Sequence, residues 1–378
     1  MGACSTWGQR HYRTFDGRHI DFIGKCSYTL AQDCIPGSDQ FSLHVQNDKT
    51  CGSAGMDCER ALLLYIGEKT YKVRWLVHLI SSHGAIRVNG AKVSAPYKDT
   101  NVEVSKVHSY TIIRSQGDEL GIKFDGASSI QVAVSHKYRN NTCGLCGNNN
   151  GIPDDDLLMA VTNKPATSVA EFAESWAMPE PNEKCESPLE VTRDVCSNAS
   201  SVIRDAAKRI CMVLLSENFS ACHTKVDPVP FVKRCEEDVC SCKFGEHSGC
   251  QCQALTEYSR ACASREIMLD WRSQHLCPKQ CIQPKVYSEC GPACVKTCDA
   301  DGLQPTCHET CIDGCHCPEG TVQTDNRCLP VNQCPCQHNG ITYVTGTTIR
   351  VGCNTCKCRG GSWTCSKHRC PGKPHVTY

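Results

Sequence analysis

Thirty-four cysteines in 378 residues constrain this chain more than any other feature. They make up about 9% of it, in the range of disulfide scaffolds. The count is even, so every thiol has a potential partner. A reducing cytosol keeps thiols free unless they bind metal, and the paired CxxC knuckles of four-cysteine zinc sites are not the dominant pattern here. We therefore read a secreted, extracellular chain folded in an oxidising compartment. Three N-x-S/T sequons agree with that compartment and make Asn140, Asn198 and Asn218 the expected glycosylation sites. Formal net charge is zero and no Lys/Arg run occurs, so no nucleic-acid partner is expected. No stretch approaches the ~20 apolar residues of a membrane span, so no membrane insertion is expected. Met1-Gly2-Ala3 runs into Cys4 without an apolar leader, and the chain is expected to be a piece of a longer secreted protein.

The cysteines divide the chain. Residues 1–185 hold eight and the remainder holds twenty-six. The first part has room for an ordinary apolar core, whereas the second must rely on covalent staples. Short alternating runs in the first part read as strands: Phe41–Gln46, Ala61–Gly67, Tyr71–Val77, Tyr110–Ser115 and Ile130–Ser135. Asn89-Gly90 and Asp125-Gly126 are hairpin signals. Together they predict an antiparallel sandwich. In Ser200–Phe219, Val202, Ile203, Ala206, Ile210, Val213 and Leu214 recur at helical spacing, with Asn198 or Ser200 as the cap. Cys252–Ala263 is a second expected helix, and because both carry cysteines they are expected to be stapled to each other. Residues 281–334 carry ten cysteines with little periodicity, and residues after 335 read as a small β module. The four groups hold 8, 10, 10 and 6 cysteines. Each is even, as self-contained disulfide modules require.

One stretch, CGLCGNNNGIPDDD (Cys143–Asp156), concentrates the chemistry. Asn and Asp oxygens clustered about a glycine turn suit a hard cation, although the spacing is not that of an EF-hand and no bidentate Glu closes it. Three adjacent carboxylates repel each other, and a divalent cation relieves the repulsion. A solvated acidic turn is the plain alternative. Cys143 and Cys146 have thioredoxin spacing, but an acidic loop raises a thiolate pKa and no βαβ pattern surrounds them.

His11–Cys34, with its TFDG, followed by Thr142–Gly151 (TCGLCGNNNG), resembles the von Willebrand factor type D domain. Cys196–Cys277 resembles the C8 module, Cys281–Cys334 a trypsin-inhibitor-like (TIL) module, and the tail a small E module related to von Willebrand C repeats. In that order they make one D assembly of the gel-forming mucin, von Willebrand factor, SCO-spondin and zonadhesin superfamily. The opening CSTWGQRHYRTFDG is most similar to a first mucin-type assembly.

The resemblance implies a multi-module, disulfide-rich fold. It consists of a β-sandwich VWD domain (1–185), a helical C8 module (186–279), a stapled TIL module (280–334) and a small β E module (335–378). It also implies Ca2+ held by Asp16, Asn148, Asn150, Asp155 and Asp156, with a backbone carbonyl of residue 152 or 153. Asp154 takes no assigned role. Implied disulfides are Cys4–Cys146, Cys34–Cys143, Cys26–Cys185 and Cys51–Cys58.

The implied function is structural and not enzymatic: self-association and matrix or gel formation, with other copies, neighbouring assemblies and extracellular glycoproteins as partners. Two alternatives stand beside it. The TIL module could inhibit serine proteases, though its loop Cys307–Cys311 offers no Lys or Arg. Cys143 and Cys146 could exchange disulfides during multimer assembly. Gly8-Gln9-Arg10-His11 lacks an Asp-Pro bond, so the self-cleavage of some relatives is not expected. Cys315-His316-Cys317 reads as disulfide cysteines rather than zinc ligands.

Overall fold

Phe41, Leu43 and Val45 are buried while the residues between them are half-exposed, the period-two pattern of a strand with one face in a core. The same pattern recurs in Ile130–Val134. These strands belong to two antiparallel sheets of the computed structural model. It describes residues 2–38, 40–48, 60–74, 85–126, 128–178, 185–190, 195–242, 249–291, 298, 312–324 and 327–368. The chain falls into two compact units that divide between Trp271 and Arg272.

The larger sheet contains β1 (Gly2–Trp7), β2 (His11–Arg13) and β3 (His19–Ile23) beside Ile130–Val134. The smaller sheet centres on Ser27–Asp33, Phe41–Asn47 and Arg60–Ile66. Tyr12, Phe22, Tyr28, Leu43, Leu62, Val104, Ile122 and Val132 share one core between them. At the expected hairpin, Val88 pairs with Ala91, and Asn89 and Gly90 have φ of 48° and 82°. Two positive φ values are what a type I′ turn demands. The expected strand Tyr71–Val77 is observed as Lys69–Arg74, and residues 75–77 lie outside the described ones. Cys4–Cys146, Cys26–Cys185 and Cys34–Cys143 close loops of 142, 159 and 109 residues. On the chain-entropy model each removes about 5 kcal/mol of unfolded-state freedom. Cys51 and Cys58 lie outside the described residues.

Among the described residues there are five α-helices: α1 (Val169–Ser175), α2 (Ser201–Cys211), α3 (Glu217–Ser220), α4 (Val229–Ser241) and α5 (Gln251–Ala263). Ser200 caps α2, accepting from the Ile203 N–H. The single helix expected over Ser200–Phe219 breaks after Cys211. Met212–Leu215 tighten into a 3-10 turn that buries Leu214 and leaves Met212 and Leu215 outside. Nor are the two expected helices stapled to each other. Cys211 of α2 bonds Cys235 of α4, and Cys262 of α5 bonds Cys222. The intervening α4 escaped the sequence reading, although Phe231, Cys235 and Val239 recur every four residues and all three are buried.

Helices α4 and α5 dock on the larger sheet. Phe231 of α4 stacks on Trp7 of β1 at 6.0 Å between ring centroids. The Ser129 hydroxyl donates to Glu257 of α5 at 2.7 Å, and Arg260 binds Glu257 and Tyr110.

Beyond Arg272 the chain forms small antiparallel pieces. Val286–Gly291 pairs with Ile312–His316, and Thr321–Thr324 with Arg327–Pro330. Cys336–His338 pairs with Ile341–Tyr343, and a three-stranded sheet follows over Thr348–Val351, Asn354–Arg359 and Ser362–Cys365. Disulfides 281–315, 298–334, 317–328, 336–358 and 356–365 hold them. Cys315 and Cys317 are thus disulfide-bonded and unavailable to zinc.

Candidate metal centre

The turn that leaves β2 carries Thr14 and Asp16 to the Cys143–Asp156 loop. The Phe15 N–H donates to the Cys146 carbonyl at 2.9 Å, and Cys4–Cys146 and Cys34–Cys143 pin the base of the loop. Cys143 and Cys146 are therefore bonded to distant partners rather than to each other.

Asp16, Asn148, Asn150, Asp155 and Asp156 converge here. Asp16 Oδ2 accepts from the Asn150 N–H at 3.0 Å, and its Oδ1 accepts from the Gly151 N–H at 2.8 Å. The amides of Asn148 and Asn150 donate to the two oxygens of Asp155, at 2.9 and 2.8 Å. Asn148 Oδ1 and Asn150 Oδ1 each accept one backbone bond and retain a second lone pair. Asp156 is 1% exposed. It accepts from Thr14 Oγ1 at 2.6 Å and from the Asn148 N–H at 3.1 Å. Gly147 has φ +78°, and a Cβ there would lie 1.9 Å from Asp156 Oδ1. Only glycine admits so close a carboxylate.

Burial, reinforced by the neighbouring Asp16, raises the Asp156 carboxyl to about 7 against the bonds from Thr14 and Asn148. A buried carboxylate pushed up in this way sits in a site short of positive charge. The donors are all oxygens, and that set fits a hard divalent cation. Arg18 Nη1 donates to the carbonyls of Pro153 and Asp154 at 3.2 and 2.8 Å. Asp154 is exposed. Thr14, Arg18 and Gly147 were missed by the sequence reading, although Thr14 lies inside TFDG.

Residues 4–162 match the family model of the von Willebrand factor type D domain. Residues 210–278 match the C8 domain and 277–334 the trypsin inhibitor like cysteine rich domain. Human otogelin is 34% identical over 381 residues, covering 99% of this chain. Human mucin-5AC is 32% identical over 98% of it, and bovine von Willebrand factor 32% over 100%.

The chain is a VWD–C8–TIL D assembly.

It spans 12%, 6% and 38% of those three relatives.

A second polar group of the D assembly was not anticipated. His11, Asp21 and Glu237 form a buried cluster that can hold a metal ion. His11 Nδ1 lies 2.6 Å from Asp21 Oδ1, and Nε2 lies 2.9 Å from Asp238 Oδ1. Arg234 binds Asp21 at 2.5 Å, and Arg10 lies 3.9 Å from Asp238. Burial lowers the His11 imidazole, but Asp238 and Asp21 outweigh it and raise it to about 9. No sequence pattern links residues so far apart.

Asn140, Asn198 and Asn218 are all exposed. The TIL loop Cys307–Cys311 lies outside the described residues. No described helix is long and apolar enough to cross a membrane.

Proposed function

We propose that this D assembly is a calcium-binding, non-catalytic building block of a secreted, multimeric glycoprotein. Its modules are VWD (1–185), C8 (186–279), TIL (280–334) and E (335–378). It works by presenting a rigid, disulfide-stapled surface through which copies or neighbouring assemblies associate into a matrix or gel. The observation that carries this reading is the convergence of Asp16, Asn148, Asn150, Asp155 and Asp156 on one loop, with Asp156 buried and short of positive charge. These residues would hold the ion, which supplies the positive charge that their carboxylates lack. Thr14 orients Asp156, and Arg18 braces the far side of the loop.

Secretion is supported by the disulfides, by three exposed sequons and by the absence of a free cysteine among the described residues. Similarity to otogelin, mucin-5AC and von Willebrand factor supports the structural role.

Calcium calorimetry on the oxidised chain tests the ion. Binding of one ion per chain, lost in Asp16→Ala and Asp156→Ala while the fold survives, is the expected result. Absence of binding at millimolar calcium would make the loop a polar turn and remove the ion from the reading. Sedimentation with and without calcium then tests self-association.

A further inference from the structure

His11 and Asp21 stand opposite each other on β2 and β3, and Glu237 reaches them from α4. Each offers a ligand atom, and these atoms lie within 4.8 Å of one another. The group therefore spans the seam between VWD and C8. His11 is fully buried and Glu237 is 5% exposed. Glu237 Oε2 and Asp238 Oδ2 are buried without a hydrogen-bond partner among the described residues. Buried carboxylate oxygens are costly to leave unpaired, and such orphans around an imidazole are what a bound cation satisfies.

We propose that this seam binds one zinc-class divalent cation through His11, Asp21 and Glu237, and that the ion staples VWD to C8.

The donor set decides the class of ion. An imidazole nitrogen with two carboxylates suits zinc, with water in the fourth position. Calcium takes six to eight oxygens and belongs in the other loop. A metal-bound imidazole donates its second N–H to a carboxylate, which fixes the ring. His11 has that partner in place. With Nδ1 on the ion, Nε2–H donates to Asp238 Oδ1, 2.9 Å away. Arg234 occupies Asp21 Oδ2 at 2.5 Å and leaves Oδ1 facing His11. Asp21, Glu237 and Asp238 are three carboxylates set against two guanidiniums, Arg10 and Arg234. None of this rests on the calcium reading.

The experiment uses the full oxidised chain, stripped of metal and then saturated with calcium, titrated with zinc alone by calorimetry. One zinc per chain and a raised thermal midpoint are expected. Glu237→Gln, nearly isosteric, should weaken binding by more than about 10-fold. Asp238→Asn, which replaces the outer partner of His11 and removes one carboxylate charge, should weaken it by about 10-fold. Cobalt in place of zinc should give the visible bands of a four-coordinate site in the wild type and lose them in Glu237→Gln, a readout independent of stability. Absence of zinc binding, or binding that Glu237→Gln leaves unchanged, overturns the proposal and leaves a self-contained ion-pair network at the seam.

Discussion

Thr14 donates its hydroxyl proton to Asp156 Oδ2 across 2.6 Å, joining residues 142 positions apart. Both are buried. The bond fixes one carboxylate oxygen, while the Asn148 N–H fixes the other at 3.1 Å. Thr14→Val keeps the shape and removes the donor. A hydrogen bond to a charged group contributes about 1.5–3 kcal/mol, so calcium affinity should fall by roughly 10-fold or more. Calorimetry reads this directly, and unchanged affinity would remove Thr14 from the site.

Asp99 supports a separate prediction about acid. Its Oδ2 accepts from Lys69, Tyr71 and Tyr97 at 3.0, 2.8 and 2.9 Å. Its Oδ1 accepts from the N–H groups of Asn101 and Val102. Lys69 and Tyr71 belong to the smaller sheet, and Tyr97 and Val102 to the larger. Burial alone would raise the Asp99 carboxyl, but the bonds from Val102, Asn101, Lys69 and Tyr71 hold it well below its usual range. A depressed pKa stabilises the fold above the unfolded value near 4 and loses that contribution as pH falls through the folded value. The wild type should therefore lose stability on acidification below about pH 4, beyond what Asp99→Asn loses. Parallel acid-unfolding curves for the two proteins would contradict the assignment.

The VWD–C8 seam depends on an aromatic pair. Phe231 is 1% exposed and stacks on Trp7, which is fully buried. Phe231→Ala leaves a cavity there and should cost about 3–5 kcal/mol, measured by denaturant unfolding. Limited proteolysis of the variant should cut the C8 helices sooner than the sheets, because α4 loses its anchor.

Thiol chemistry separates staple from exchanger. Cys146 is fully buried in its bond to Cys4, and Cys143 is bonded to Cys34. A native thiol assay should find essentially no reactive cysteine, and denaturation without reductant should expose none. Several rapidly reacting thiols, abolished by Cys143→Ala, would restore disulfide exchange as the reading.

The sequence by itself determined the disulfide-rich character of the chain and the grouping of its cysteines, but not how they pair. Cysteine density, even grouping and turn chemistry depend on residue type and spacing alone. Every disulfide named above stays within the cysteine group read from the chain. The hairpin at Asn89-Gly90 was legible because only a few residues accept its φ values. The candidate metal loop was half legible: Asp155 and Asp156 lie on it, but Asp16 entered through the resemblance of TFDG to a family, not through spacing. Tertiary structure alone decided the rest. Thr14 meets Asp156, and His11 meets Asp238, across 142 and 227 residues. Such meetings follow from which strand faces which helix, and no local period encodes them. The helix reading failed over Met212–Leu215 for the same reason. Burial of Leu214 and the Cys211–Cys235 bond to an unanticipated helix overrode a helical period that the residues themselves carry.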